Sequence, residues 1–228
     1  MSEILYVASC VHLGARESRE DLFEKSLKVA KRIGAKVALI GDLLDMGLFV
    51  GTKHTGSVYD QSYGIDAQSE RAAKLLAPVR DSIVAILQGN HEERLYKATG
   101  IEANKGVAKA IGRPEVFRSS TAILRNKRFG YRIFLGHGSN RSDFNRLLVG
   151  YDGLDAIVLG HTHTLSHEVV TKRESGHRSD IQLVRAGTYL EEPRYGRMAL
   201  YPPNPVGAAW IFMRKDKMYV DLGVEPRL

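Results

Sequence analysis

The sequence predicts an α/β protein built on two packed β-sheets with helices outside them. Three observations point there. The N-terminal half alternates short apolar runs with stretches of helical periodicity, the pattern of parallel strands joined by crossover helices. From about Thr121 the pattern changes to paired strand-like runs around short polar turns. Together these runs give more strands than one sheet with helices on both faces accommodates. The 228 residues read as one domain, 1–228, with no repeat, low-complexity tract or linker.

In chain order, residues 4–8 form a short apolar strand. Ser18, with Asp21 three residues later, reads as a capping box that opens a helix. Leu22, Phe23, Leu27, Ala30 and Ile33 supply its apolar stripe, and Gly34 stands where a C′ glycine belongs. Residues 36–40 are the next strand. Residues 46–66, "MGLFVGTKHTGSVYDQSYGID", read as a long loop of the kind that is either a functional lid or disordered. A second helix spans 67–76 and breaks near Pro78, and a third strand follows at 83–87. Residues 121–125 and 131–135 flank an Asn-Lys-Arg turn; a short helix at 142–149 leads to a strand at 156–159. Two further hairpins pair 169–172 with 181–184 and 208–213 with 218–222.

Composition narrows the function classes. Thirty-three basic against 26 acidic residues leave a net charge of +7, which favours a polyanionic partner, nucleic acid before membrane. No apolar run has the length of a membrane span, and a chain that opens directly on a strand is expected to carry no leader. The single cysteine, Cys10, allows no internal disulfide, so a reducing, cytoplasmic setting is expected.

Hard polar residues recur at the ends of the predicted strands. Cys10-Val-His12 follows the first, Gly41-Asp42-Leu-Leu-Asp45 the second and Gly89-Asn90-His91-Glu92 the third. Gly136-His137 and Gly160-His161-Thr-His163 follow two later strands. Ligand sites in α/β sheets lie beyond the carboxyl ends of strands, so these loops can converge on one crevice. Imidazole nitrogens and carboxylate oxygens suit divalent cations, and a carboxylate can bridge two of them. A lone Gly-His after a strand is only a turn. Five such turns, each in register with a strand end, are not.

This ordered set resembles the calcineurin-like metallophosphoesterases, over roughly residues 4–190. The resemblance implies a four-layer α/β/β/α sandwich of two mixed sheets, a dinuclear metal site and a phosphoester substrate. It implies that Cys10, His12, Asp42 and His163 surround one ion and that Asp42, Asn90, His137 and His161 surround the other. His91, oriented by Asp45, would act at the leaving-group oxygen. Gly187-Thr188-Tyr189-Leu190 and "YPPNPVG" are also similar to the tail of small phage and archaeal members. Two divalent cations so placed neutralise charge as it develops on phosphate, and a nearby imidazole can protonate the departing alkoxide.

Cys10 departs from the family pattern, which has Asp there. The candidate ions are manganese, zinc or iron; as a ligand, the soft Cys10 thiolate favours zinc or iron over magnesium. Left uncoordinated, it leaves the first ion to His12, Asp42 and His163. As a small buried hydrophobe it has no role.

Substrate contacts are expected from Arg94, one turn after His91, and from His54 in the long loop, with Lys53 and Tyr59 beside it. Basic clusters at 125–128 and 172–178 sit at hairpin turns, where charge is solvated in any case. A phosphodiesterase or nuclease acting on nucleic acid or nucleotides is the first function read from this pattern. A phosphomonoesterase or nucleotide pyrophosphatase is the second, and a catalytically impaired nucleic-acid-binding module the third. Met46 stands after Asp45 where Ser/Thr protein phosphatases carry arginine, which argues against that branch.

Overall fold

The computed structural model describes residues 2–50, 53–54, 58–140, 142–174 and 177–227. The chain begins with β1 (Glu3–Ala8), α1 (Glu20–Arg32) and β2 (Lys36–Ile40), followed by the two-residue strands β3 (Phe49–Val50) and β4 (Lys53–His54). Next come α2 (Ile65–Leu76), β5 (Ile83–Leu87), α3 (Asn90–Thr99), α4 (Ala103–Ala110), β6 (Phe117–Arg118) and β7 (Thr121–Arg125). The remainder is β8 (Arg132–Gly136), α5 (Asp143–Gly150), β9 (Ala156–Leu159), β10 (Leu165–Glu174) and β11 (His177–Ala186). It closes with α6 (Arg194–Met198), β12 (Ala208–Met213) and β13 (Met218–Gly223).

Two mixed sheets result. The first runs β13-β12-β1-β2-β5-β6 and the second β10-β11-β9-β8-β7. In a strand, alternate side chains face opposite ways, and β1 uses both faces. Leu5 and Val7 join Ile40 and Leu87 against Ile133, Leu135, Val158 and Val184 of the second sheet, so an apolar core separates the sheets. Tyr6 and Ala8 face the other way, into a cluster with Phe23 and Leu27 of α1, Leu76 of α2 and Val107 of α4. The outer face of the second sheet, Phe134, Ile157, Leu159 and Leu183, is covered by Phe144 and Leu147 of α5. The layers are therefore helix, sheet, sheet, helix, as the resemblance implied.

The differences from the sequence reading are local. Ser18 does not cap α1; its hydroxyl donates to Val11 O at 2.7 Å, and the helix starts at Glu20 after an Arg19 N-cap without a side-chain bond. The 46–66 segment is not structureless: it holds the small β3–β4 hairpin, a 3-10 turn at Val58–Asp60 and the first turn of α2. Strands β10 and β11 pair along ten residues each, from Leu165↔Ala186 to Glu174↔His177.

Parallel pairing decides where the loops lie. Strands β1, β2 and β5 run parallel to one another, as do β8 and β9, so the carboxyl ends of each set share one edge. The basic turns lie elsewhere. In β7–β8 the pair Arg125↔Arg132 is at the end opposite Gly136, and in β10–β11 Glu174↔His177 is at the end opposite Leu165. The 125–128 turn and the described strand ends at 172–174 and 177–178 thus lie remote from the motif loops.

Candidate metal centre

The loops after β1 and β2 stay zipped past the strands. Cys10 N donates to Gly41 O at 3.1 Å, His12 N to Asp42 O at 3.0 Å and Leu13 N to Leu43 O at 2.9 Å. This sets Cys10 and His12 beside Asp42. Cys10, His12, Asp42, His161 and His163 all have φ between 50° and 64°. Left-handed backbone at a non-glycine costs on the order of 1 kcal/mol or more per residue, and such strain collects at functional sites. Gly89 is required by crowding: a Cβ there would lie 2.2 Å from Asp42 N and Oδ1.

The side chains then converge in a definite order. His12 Nδ1–H donates to Asp45 Oδ1 at 2.9 Å, which leaves Nε2 with its lone pair directed at His163 Nε2, 3.2 Å away. His137 Nδ1–H donates to Ile40 O at 2.9 Å. Its Nε2 lies 2.9 Å from Asn90 Oδ1 and 3.1 Å from Asp42 Oδ2. His161 Nδ1 reaches the same Asn90 oxygen at 2.8 Å. Asp42 Oδ1 accepts the His91 backbone N–H at 2.9 Å, and Oδ2 faces His137 and, at 3.9 Å, His12 Nε2. Cys10 Sγ falls within 4.8 Å of ligand atoms of His12 and His163, and again of Asp42 and His137.

Electron pairs therefore crowd together with few protons among them, a donor set that fits divalent cations. Burial pushes His163 down to about 3, helped by His12 beside it. Burial also lowers His12. Burial works to raise Asp42 and Asp45, but the neighbouring imidazoles outweigh it and hold both below the usual carboxylate range. Burial, reinforced by Asp42, drives the Cys10 thiol well above its ordinary value.

His91 is built differently. Its Nδ1–H donates to Asp45 O at 2.6 Å, with Asp45 Oδ1 at 3.3 Å. Burial works to lower its pKa, yet Asp45 and Asp42 outweigh it, and the imidazolium is favoured. Its other nitrogen, Nε2, is without a partner among the described residues. His91 lines a cleft of about 430 Å³ with His12, Asp42, Asp45, Asn90, His161 and His163.

Arg94 lines the same cleft, as its place one turn after His91 implied. The His54 backbone pairs with Phe49, and its side chain and that of Lys53 lie outside the described residues. Tyr59 is 74% exposed and does not line the cleft.

Three contributors escaped the sequence reading. Glu92, fully buried, accepts the N–H groups of Gly89 (2.8 Å), Asp42 (3.1 Å) and Leu44 (2.9 Å), tying the β2 and β5 loops together. Its place in Gly-Asn-His-Glu was the available signal. Asp60 and Arg194, 4.0 Å apart, close the far side of the cleft, and no motif marks them.

A family profile described as calcineurin-like phosphoesterase matches residues 5–165. The chain belongs to that family. Its members are phosphoesterases that use divalent metal ions, and the histidine, cysteine and carboxylate groups described above include sets able to hold such ions. No curated protein matches significantly. Several solved structures are similar. A Streptococcus pneumoniae protein described as a predicted phosphoesterase is 15% identical, with TM-score 0.49, over 100% of this chain and 94% of its own. A novel archaeal phosphodiesterase is 10% identical, with TM-score 0.49, over 96% and 99%. A metallophosphoesterase from Sphaerobacter thermophilus is 15% identical, with TM-score 0.47, over 98% and 89%. No helix among the described residues is long and apolar enough to cross a membrane.

Proposed function

We propose that this calcineurin-like phosphoesterase is a phosphodiesterase with two divalent ions, acting on nucleic acid or nucleotides in a reducing, cytoplasmic setting, with the whole chain serving as one catalytic domain. The observation that carries the reading is the place of Asp42 Oδ2, 3.1 Å from His137 Nε2 and 3.9 Å from His12 Nε2. One carboxylate oxygen thereby faces two donor groups. His12 and His163 would hold one ion with Asp42; His137, Asn90 and His161 would hold the other. Bound there, divalent ions supply positive charge for the phosphoryl oxygens and activate water as a nucleophile.

The chain's own residues do the rest. Asp45 fixes the His12 tautomer by accepting the Nδ1–H hydrogen bond. His91, anchored through Nδ1 and with its pKa raised by Asp45 and Asp42, would present Nε2–H to the leaving-group oxygen and donate its proton as the ester bond breaks. Arg94, intermediate in exposure and without an ion-pair partner among the described residues, meets the phosphate charge from the same helix. The net charge of +7 supports a polyanionic substrate.

Cys10 is read as a ligand of the first ion, because its Sγ lies in the set with His12 and His163. Burial holds the thiol neutral, so coordination must displace its proton. Bis-p-nitrophenyl phosphate should be hydrolysed with added manganese, zinc or iron and left intact after chelation. Activity surviving exhaustive chelation, or absent with every metal, rejects the reading. Preference for p-nitrophenyl phosphate makes the protein a monoesterase instead.

A further inference from the structure

A second recess of about 250 Å³ opens beside the main cleft, and His161 and His163 line both. His91 and Arg94 line only the main cleft. With the leaving group on the His91 side, the recess beside His161 and His163 is open to the other substituent on phosphorus.

The recess has the chemistry of a flat heteroaromatic ring. Tyr201, 66% exposed, and the rings of Pro202 and Pro203 form one wall. Tyr201 N is pinned to Gly196 O at 3.0 Å, and the two prolines restrict the backbone that follows. The Asn204 amide, half-buried in the lining, makes no hydrogen bond among the described residues, so it offers a donor and an acceptor to a base edge. A second phosphate is disfavoured. Arg197, the cation of the recess, is held by Glu17 at 3.5 Å and by Glu192 O at 2.7 Å.

We propose that this recess binds the base of the nucleoside retained on phosphorus, with Tyr201 as the stacking residue that sets nucleotide specificity. This rests on the phosphodiesterase reading above. Thymidine 5′-(p-nitrophenyl phosphate) and methyl p-nitrophenyl phosphate share a leaving group and differ in the retained substituent. The ratio of their kcat/KM values reports the recess alone. Tyr201→Ala should lower the nucleoside-over-methyl ratio roughly 10-fold, through KM, and Tyr201→Phe should keep it. A ratio unchanged in Tyr201→Ala overturns the proposal. If neither ester is hydrolysed with any metal, the phosphodiesterase reading fails by itself, and calorimetric binding of thymidine 5′-monophosphate decides the subsite. A Kd about 10-fold weaker in Tyr201→Ala upholds it; equal affinity overturns it.

Discussion

The loops of the two sheets contribute unequally to the candidate centre. Those of the first sheet bring Cys10, His12, Asp42, Asp45, Asn90, His91 and Glu92, with the carboxylates and most of the hydrogen bonds that fix orientation. Those of the second bring three imidazoles, His137, His161 and His163. Each of the three finds its contact on the opposite side: His137 on Ile40 O, His161 on Asn90 Oδ1 and His163 on His12 Nε2. The carboxylates and most of the orientation come from one half, three imidazole donors from the other. The centre is thus assembled by the apolar core between the sheets, and neither half holds it alone.

Substitutions on the first side test that division most sharply. His91→Ala should lower the rate by roughly 10²–10⁴-fold while metal content is retained. The loss should be smaller for nitrophenolate esters, whose leaving group needs less protonation. Metal analysis alongside kinetics checks this, and a fall in metal content would place His91 among the ligands.

Asp45→Asn should cost about 10–100-fold in metal affinity, because the anion that holds His12 in its tautomer is lost. The Asp45 backbone oxygen still anchors His91, but the carboxylate that raises its pKa is lost, so a change in leaving-group dependence should accompany the loss seen in metal titrations. An effect confined to leaving-group dependence would make Asp45 a partner of His91 alone.

Cys10→Asp asks whether sulfur tunes the first side. Hard oxygen in place of soft sulfur should shift metal preference from zinc or iron toward manganese or magnesium. Higher activity with every metal would mean instead that the thiol leaves a coordination position unfilled. No change in preference or activity would make Cys10 a packing residue.

The smallest effect belongs to the second side. Asp143, at the start of α5, accepts the N–H groups of Ser139 and Asn140 and pairs with Arg146. Burial works to raise its pKa, but those amides and the guanidinium outweigh it and hold it at about 2. A depressed folded-state pKa stabilises above the unfolded value of about 3.9 and loses that contribution as pH falls toward 2. Asp143→Asn should therefore cost about 1–2 kcal/mol at neutral pH. The gap from wild type, followed by chemical denaturation, should narrow below pH 4 and close near pH 2. A pH-independent gap would show that shape, not charge, sets the role of Asp143.

The motif loops were legible in the sequence because their chemistry is local. A glycine before Asp42, Asn90, His137 or His161 permits the turn, and the apolar run before it marks the strand. The strands at 36–40, 83–87 and 156–159 were readable for the same reason. Partners distant along the chain were not. Asp45 holds His91 as the motif implies, through its backbone oxygen at 2.6 Å and its carboxylate at 3.3 Å, but the nearer contact of that carboxylate, His12 at 2.9 Å, has no signal in the sequence. Ser18 had the spacing of a cap, but Val11 O came within reach of its hydroxyl first. The wall formed by 190–204 carries no periodic pattern, because its position follows from ion pairs such as Arg197–Glu17. The basic turns read as solvated hairpin ends, and strand direction agrees by placing them away from the motif loops.

The position of β1 bears on how the chain is made. It lies between β2 and β12, with Val7 opposite Ala38 on one side and Ala209 on the other. On the ribosome β2 emerges soon after β1, whereas β12 follows the entire second sheet. Throughout that interval β1 keeps one apolar edge bare, next to the loop carrying Cys10 and His12, and a bare edge is a template for pairing with another chain. A nascent chain stopped at residue 200 should accumulate in the insoluble fraction, a result that soluble expression of the fragment would refute. Completion of the β12–β13 hairpin is then the event that commits the newly made protein to its own sheet rather than a neighbour's.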